Sequence, residues 1–85
     1  LKIVPTLAVE IISPATARRD RIEKKRIYEA NGVDEYWLVD PHRREITVFH
    51  LAGGKYDDGN RFEARQKLRS EVLVGLEVPA RLLFA

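Results

Sequence analysis

The run Leu7-Ala8-Val9-Glu10-Ile11-Ile12 constrains this chain more than any other segment. In an extended strand, successive side chains point to opposite faces. Leu7, Val9 and Ile11 then share one face, and Ala8, Glu10 and Ile12 the other. Both faces are apolar apart from Glu10. That pattern predicts a central strand covered on both sides, as in a layered α/β domain. Pro14 closes the strand, because proline cannot donate to a ladder. The carboxylate in the middle is the anomaly: burying it is costly unless a cation, a metal or hydrogen bonds compensate. Two structural explanations stand beside a functional one. Either the strand is an edge and Glu10 reaches water, or Glu10 pairs with a helix cation.

Thr16 to Asn31 reads as a helix, with Ile22, Ile27 and Ala30 recurring near helical spacing. Asn31-Gly32 is its stop signal, and Ser13, Thr16 and Asp20 are candidate caps. Glu35 to Val39 is aromatic and branched, hence a strand. Asp40 to Arg44 is a turn, and Glu45 to Leu51 alternates polar and apolar. The two strands should form an antiparallel hairpin. Gly53-Gly54 makes a further turn before a short strand at Lys55-Tyr56, and Asp57 to Asn60 is a loop. A strand around Phe62, another at Glu71-Val72-Leu73 and a helical turn over Ala80 to Phe84 complete the reading. Strand, helix and then a meander of strands predict a mixed α/β sheet with a basic helix packed on it.

The basicity is local. Net charge is only +2, yet residues 18 to 26 hold six basic and two acidic side chains. A solvated helix face laced with ion pairs accounts for this, as does a helix end that meets phosphates. With no cysteine, disulfide and thiolate-metal chemistry are excluded. No apolar run approaches the roughly 20 residues needed to span a bilayer, so we expect a cytoplasmic protein with no membrane partner. The opening Leu1 and the immediate strand pattern lead us to expect a sequence that starts inside a larger domain.

Asp20, Lys24 and Tyr28 stand at i, i+4 and i+8, along one helix stripe. Asp20 ahead of Lys24 suits a plain surface pair. With Glu10 on the adjoining strand, Lys24 gains a second role, as an ammonium that orients a nucleophilic water or stabilises developing charge. His42 and His50 lack a partner at metal-ligand spacing. Tyr36 and Trp37 read as core and rim. Gly53-Gly54 lacks the spacing of a phosphate-binding loop, and no Ser/His/Asp arrangement is indicated.

VPTLAVEIISPAT followed by RRDRIEKKRIYEANGVDEYWLVDP resembles the Uma2 family, whose members carry a P-x-L-V-V-E-V-x-S-P-S strand, a D-x-x-x-K-x-x-x-Y helix and a G-V-x-E-Y-W-x-V-D-P segment. The closing LVGLEVPARLLFA is similar to the family's L-x-G-L-x-L ending. The resemblance implies a restriction endonuclease-like (PD-(D/E)xK) fold, with residues 1–85 as the C-terminal part of one such domain. It implies a DNA endonuclease that uses Mg²⁺ or Mn²⁺. Glu10 would be metal ligand and catalytic residue, and Lys24 the second catalytic residue. Asp20, Tyr28 and Ser13 would support them, and Arg18, Arg19 and Arg21 would contact nucleic acid. Two departures stand out. Ile12 occupies the position of the usual lysine two residues after the glutamate, and Thr6 replaces an aspartate frequent in relatives. The fold's other metal-binding aspartate lies on a strand ahead of this segment. The alternatives are a nuclease-fold relic that binds DNA or protein without cutting, and a structural half-domain that forms a homodimer through unpaired sheet edges.

Overall fold

The computed structural model describes residues 6–13, 15, 18–73 and 75–84. Strand β1 spans Leu7–Ile11, helix α1 Arg18–Ala30, strand β2 Glu35–Asp40 and strand β3 Glu45–Ala52. Strands β4 (Lys55–Tyr56), β5 (Asn60–Glu63), β6 (Lys67–Arg69) and β7 (Glu77–Pro79) follow, and a 3-10 turn covers Ala80–Phe84. β1 and β2 run parallel, in register from Leu7↔Glu35 to Ile11↔Val39, with α1 as the crossover that parallel neighbours require. β2 and β3 form the expected antiparallel hairpin, from Glu35↔His50 to Asp40↔Glu45. β4 and β5 both pair with β3, at different stretches of it. β6 and β7 make a separate two-stranded ribbon.

Asn31 and Gly32 end α1 as their types predict. Gly32 adopts a positive φ of 76° and donates to Glu29, while Val33 donates to the Tyr28 carbonyl. This paired closure satisfies the last helical carbonyls. Of the three candidate caps, Thr16 lies outside the described residues.

The sheet has two differently built faces. On one, Trp37, Val39, Ile46 and Val48 form the apolar core with Leu68 and Ala80, closed by the ribbon and the 3-10 turn. On the other, Tyr36 and Phe49 lie beneath α1. The Tyr28 ring of the helix sits 5.2 Å from the Tyr36 ring, and the Lys25 ammonium sits 4.0 Å over Phe49.

Three expectations are corrected. Among the described residues β1 pairs with β2 alone, with Val9 and Ile11 46% and 61% exposed, where two flanking strands were expected. Apolar side chains on both faces of a strand do not determine how many strands flank it. Second, Ile22 and Ile27 do not face the core. Both are exposed, and α1 buries no residue fully. Its sheet-facing stripe is Arg21, Lys24, Lys25 and Tyr28, long side chains whose apolar stems and ring cover the sheet. Third, Glu71 to Leu73 is not a strand. The Glu71 and Val72 amides donate to the Glu35 side chain, at 2.8 and 3.4 Å, so they do not enter a ladder.

Candidate functional site

Glu10 is placed by alternation. It lies on the α1 side of β1, beside Leu38 of β2, and the helix returning over the sheet carries Lys24 and Tyr28 across it. Tyr28 donates its hydroxyl to Glu10 Oε1 at 2.6 Å, and Lys24 Nζ lies 3.3 Å from Oε2. Glu10 is half-buried, with 23% of its side chain exposed, so solvent can still reach it. Holding the Tyr28 proton against a carboxylate pushes that phenol up to about 12, with burial and the charge of Glu10 adding to the hydrogen bond. Tyr28 is therefore a fixed donor at any ordinary pH. Burial, and then the charge of Glu10, also raise Tyr36 beneath it. A cavity of about 10 Å³ between Glu10, Arg21, Lys24, Tyr36 and Leu38 leaves room for about one water.

The other candidates divide. Lys24 pairs with Glu10 and not with Asp20, which is exposed and lines a shallow cleft with Ser13 and Lys24. Arg18 and Arg21 turn toward the carboxyl ends of β1 and β2. Arg19 does not join them; it lies along the outward face of α1 with Ile22 and Arg26, a face that Arg18 also borders.

The donor set does not fit a resident divalent cation on its own. Among the described residues no three His, Cys, Asp or Glu side chains gather to hold a metal. Glu10 is a single carboxylate, with one donor on each oxygen, whereas Mg²⁺ takes hard oxygens in an octahedral shell.

A second carboxylate went unnoticed at the level of sequence. Glu35 is 0% exposed. It accepts hydrogen bonds from Trp37 Nε1 and Ser70 Oγ, both at 2.8 Å, and from the Glu71 and Val72 amides. His50 Nε2 lies 3.2 Å away. Burial pushes this carboxyl up, but the bonds from Ser70, Glu71, Trp37 and Val72 outweigh it and hold the group below its ordinary value. Ser70, His50 and Glu35 do come together, yet Ser70 is buried and donates to the carboxylate, not to His50. The serine is therefore not an activated nucleophile. A four-residue turn between Asp40 and Glu45 already sets Glu35 opposite His50, which was the signal available.

The chain is a mixed α/β sheet carrying one helix, with a strand glutamate facing a helix lysine. The crystal structure of a putative nuclease belonging to DUF820 from Anabaena variabilis ATCC 29413 has the same architecture, with a TM-score of 0.78 and 20% identity over 98% of this chain. The chain spans 45% of that protein's length. The model of the Uma2 family, described as "Putative restriction endonuclease", matches residues 1–81, and the chain belongs to that family. No curated protein matches the chain. Among the described residues no helix is long and apolar enough to cross a membrane.

Proposed function

We propose that this chain supplies part of the catalytic centre of a DNA endonuclease, as the C-terminal part of a PD-(D/E)xK domain. The observation that carries the reading is the convergence of Lys24 and Tyr28 on Glu10 across the strand–helix interface. A surface ion pair would not need a half-buried tyrosine to orient its carboxylate. Hydrolysis adds water to phosphorus and breaks the bond to the leaving oxygen, so negative charge grows on the phosphate oxygens. The Lys24 ammonium is suited to stabilise that charge and to hold the attacking water. Tyr28 fixes the orientation of Glu10. Restriction endonuclease-like proteins generally use a divalent metal, which polarises the phosphate and acidifies water. In this reading the ion is Mg²⁺ or Mn²⁺, and Glu10 is one ligand of a set completed by a carboxylate from outside the described residues.

The test is cleavage of supercoiled plasmid, with Mg²⁺ or Mn²⁺, by the protein carrying that further carboxylate. Lys24→Ala is expected to slow it by about 10²–10³-fold, the usual loss on removing one charge-stabilising group, and Glu10→Ala to abolish it through lost metal affinity. Undiminished cutting by Glu10→Ala would rule the reading out. The engagement of both Glu10 oxygens favours a second reading, a fold that binds DNA without cutting it. That reading predicts no cleavage with any metal but retained, salt-sensitive binding.

A further inference from the structure

At the carboxyl ends of β1 and β2 lies an open cleft of about 990 Å³. Arg18 and Arg21 of α1 form one wall, and Asp40, His42 and Arg43 of the β2–β3 turn form the other, with Ser13 between. Sheet crevices of this kind, outside the carboxyl ends of parallel strands, are common ligand sites. The charge balance is three arginines against one aspartate, and Asp40 accepts from the Arg43 amide at 3.1 Å while the Arg43 guanidinium stays 3.9 Å away, too far for a tight ion pair. Arg21 is the most telling of the three arginines. Its Nε is buried and has no hydrogen-bond partner among the described residues, while the side chain lines the cleft. Arg21 also lines the small cavity beside Glu10 and Lys24, so one side chain joins the candidate centre to the cleft.

We propose that this cleft is a phosphate subsite: Arg18, Arg21 and Arg43 hold a backbone phosphate of DNA next to the one presented to Glu10 and Lys24. The turn is thereby a DNA-binding element, and the outward face of α1, with Arg26, is not. The inference rests on the nuclease reading for what lies at Glu10, but phosphate binding in the cleft is independent of cutting. Guanidinium groups suit this task because their forked donors match phosphate oxygens bidentately.

The experiment is fluorescence anisotropy with a labelled DNA duplex across a salt series, without metal, on the protein and its variants. Removing one phosphate-binding side chain should flatten the slope of log affinity against log salt by about one. Arg43→Ala is expected to do so equally for unrelated sequences, Arg18→Ala/Arg43→Ala by about two, and Arg43→Lys to restore most of the slope. Arg43 is exposed in a turn, so these variants should keep the circular dichroism of the parent. Arg26→Ala should leave the slope alone. If Arg43→Ala keeps the parental slope while Arg26→Ala flattens it, or if the parent does not bind DNA, the subsite is overturned. Plasmid cleavage is scored separately. An inert protein whose slope still responds to Arg43→Ala sinks the nuclease reading and keeps the subsite; a cutting protein with an unresponsive slope does the reverse.

Discussion

Glu10 and Glu35 are two strand carboxylates on neighbouring strands, and they have opposite fates. Glu35 lies on the core side of β2, fully buried, with donors from Trp37, Ser70, Glu71 and Val72 around it and His50 alongside. Its acceptor sites are filled, and its partners come from separate segments of the chain. It acts as a joint that fastens residues 70 to 72 to the hairpin. Glu10 lies on the helix side of β1 and has two side-chain partners, one of them the half-exposed Lys24. Burial alone would have ranked Glu35 as the more unusual group. Saturation decides otherwise: a carboxylate whose lone pairs are all taken holds structure, whereas one with spare capacity and an open side is available to a ligand.

The largest expected effect tests the joint. Glu35→Leu keeps the bulk but strands the indole N–H, the Ser70 hydroxyl and the Glu71 amide without an acceptor. Removing one side of such a buried charged network costs about 3–5 kcal/mol, which for a small domain is most of its stability. Urea denaturation should show this as a collapsed midpoint or the loss of a cooperative transition. The same substitution at Glu10, Glu10→Leu, should shift stability by no more than about 1 kcal/mol, because partly exposed pairs contribute little. Equal losses at both positions would erase the distinction.

Acid sharpens it further. The folded carboxyl of Glu35 is held below its ordinary 4.5. A group depressed in the folded state contributes stability that is present above the unfolded value. That contribution is lost as pH falls through the folded one. Unfolding free energy should therefore fall through the acid range below 4.5, and Glu35→Gln should remove that component of the fall. An identical acid profile in Glu35→Gln would mean that other carboxylates govern it.

These two residues also show what the sequence discloses. The strand around Glu10, the helix stop at Gly32 and the β2–β3 hairpin follow from local pattern, because alternation, left-handed tolerance and turn length act within a few residues. That β1 pairs with β2 alone among the described residues does not, since strand order depends on partners far away in the chain. Nor does the orientation of α1. Ile22 and Ile27 recur near helical spacing yet are exposed, and the helix meets the sheet through Lys25 over Phe49 and Tyr28 against Tyr36. Glu71 to Leu73 reads as a strand by composition and is not one, because a glutamate 36 residues before Glu71 takes its amide and that of Val72. Of the candidate site, Glu10, Lys24 and Tyr28 come together, while Asp20 and Arg19 stand apart. Arg43 was passed over because a turn arginine carries no pattern of its own.

The smallest effect is the most specific. Tyr28→Phe deletes the 2.6 Å bond to Glu10 and leaves the ring in place against Tyr36. Glu10 Oε1 then faces water through the open side of the site, so it is not left unsatisfied, and the loss should be about 1 kcal/mol or less. Stability alone would hardly register it, but the tyrosine titration would. Tyr28 is held up to about 12, first by its bond to Glu10. Glu10→Gln removes both the charged acceptor and its repulsion of the phenolate. One ionisation in the ultraviolet titration should therefore move down toward the ordinary 10.0, while Tyr56, raised by its own burial and by Glu29 and Asp34, stays near 12. In Tyr28→Phe that same ionisation should be missing. If neither variant changes the titration, Tyr28 does not bond to Glu10 in solution, and the carboxylate loses the support that separates it from an ordinary surface pair.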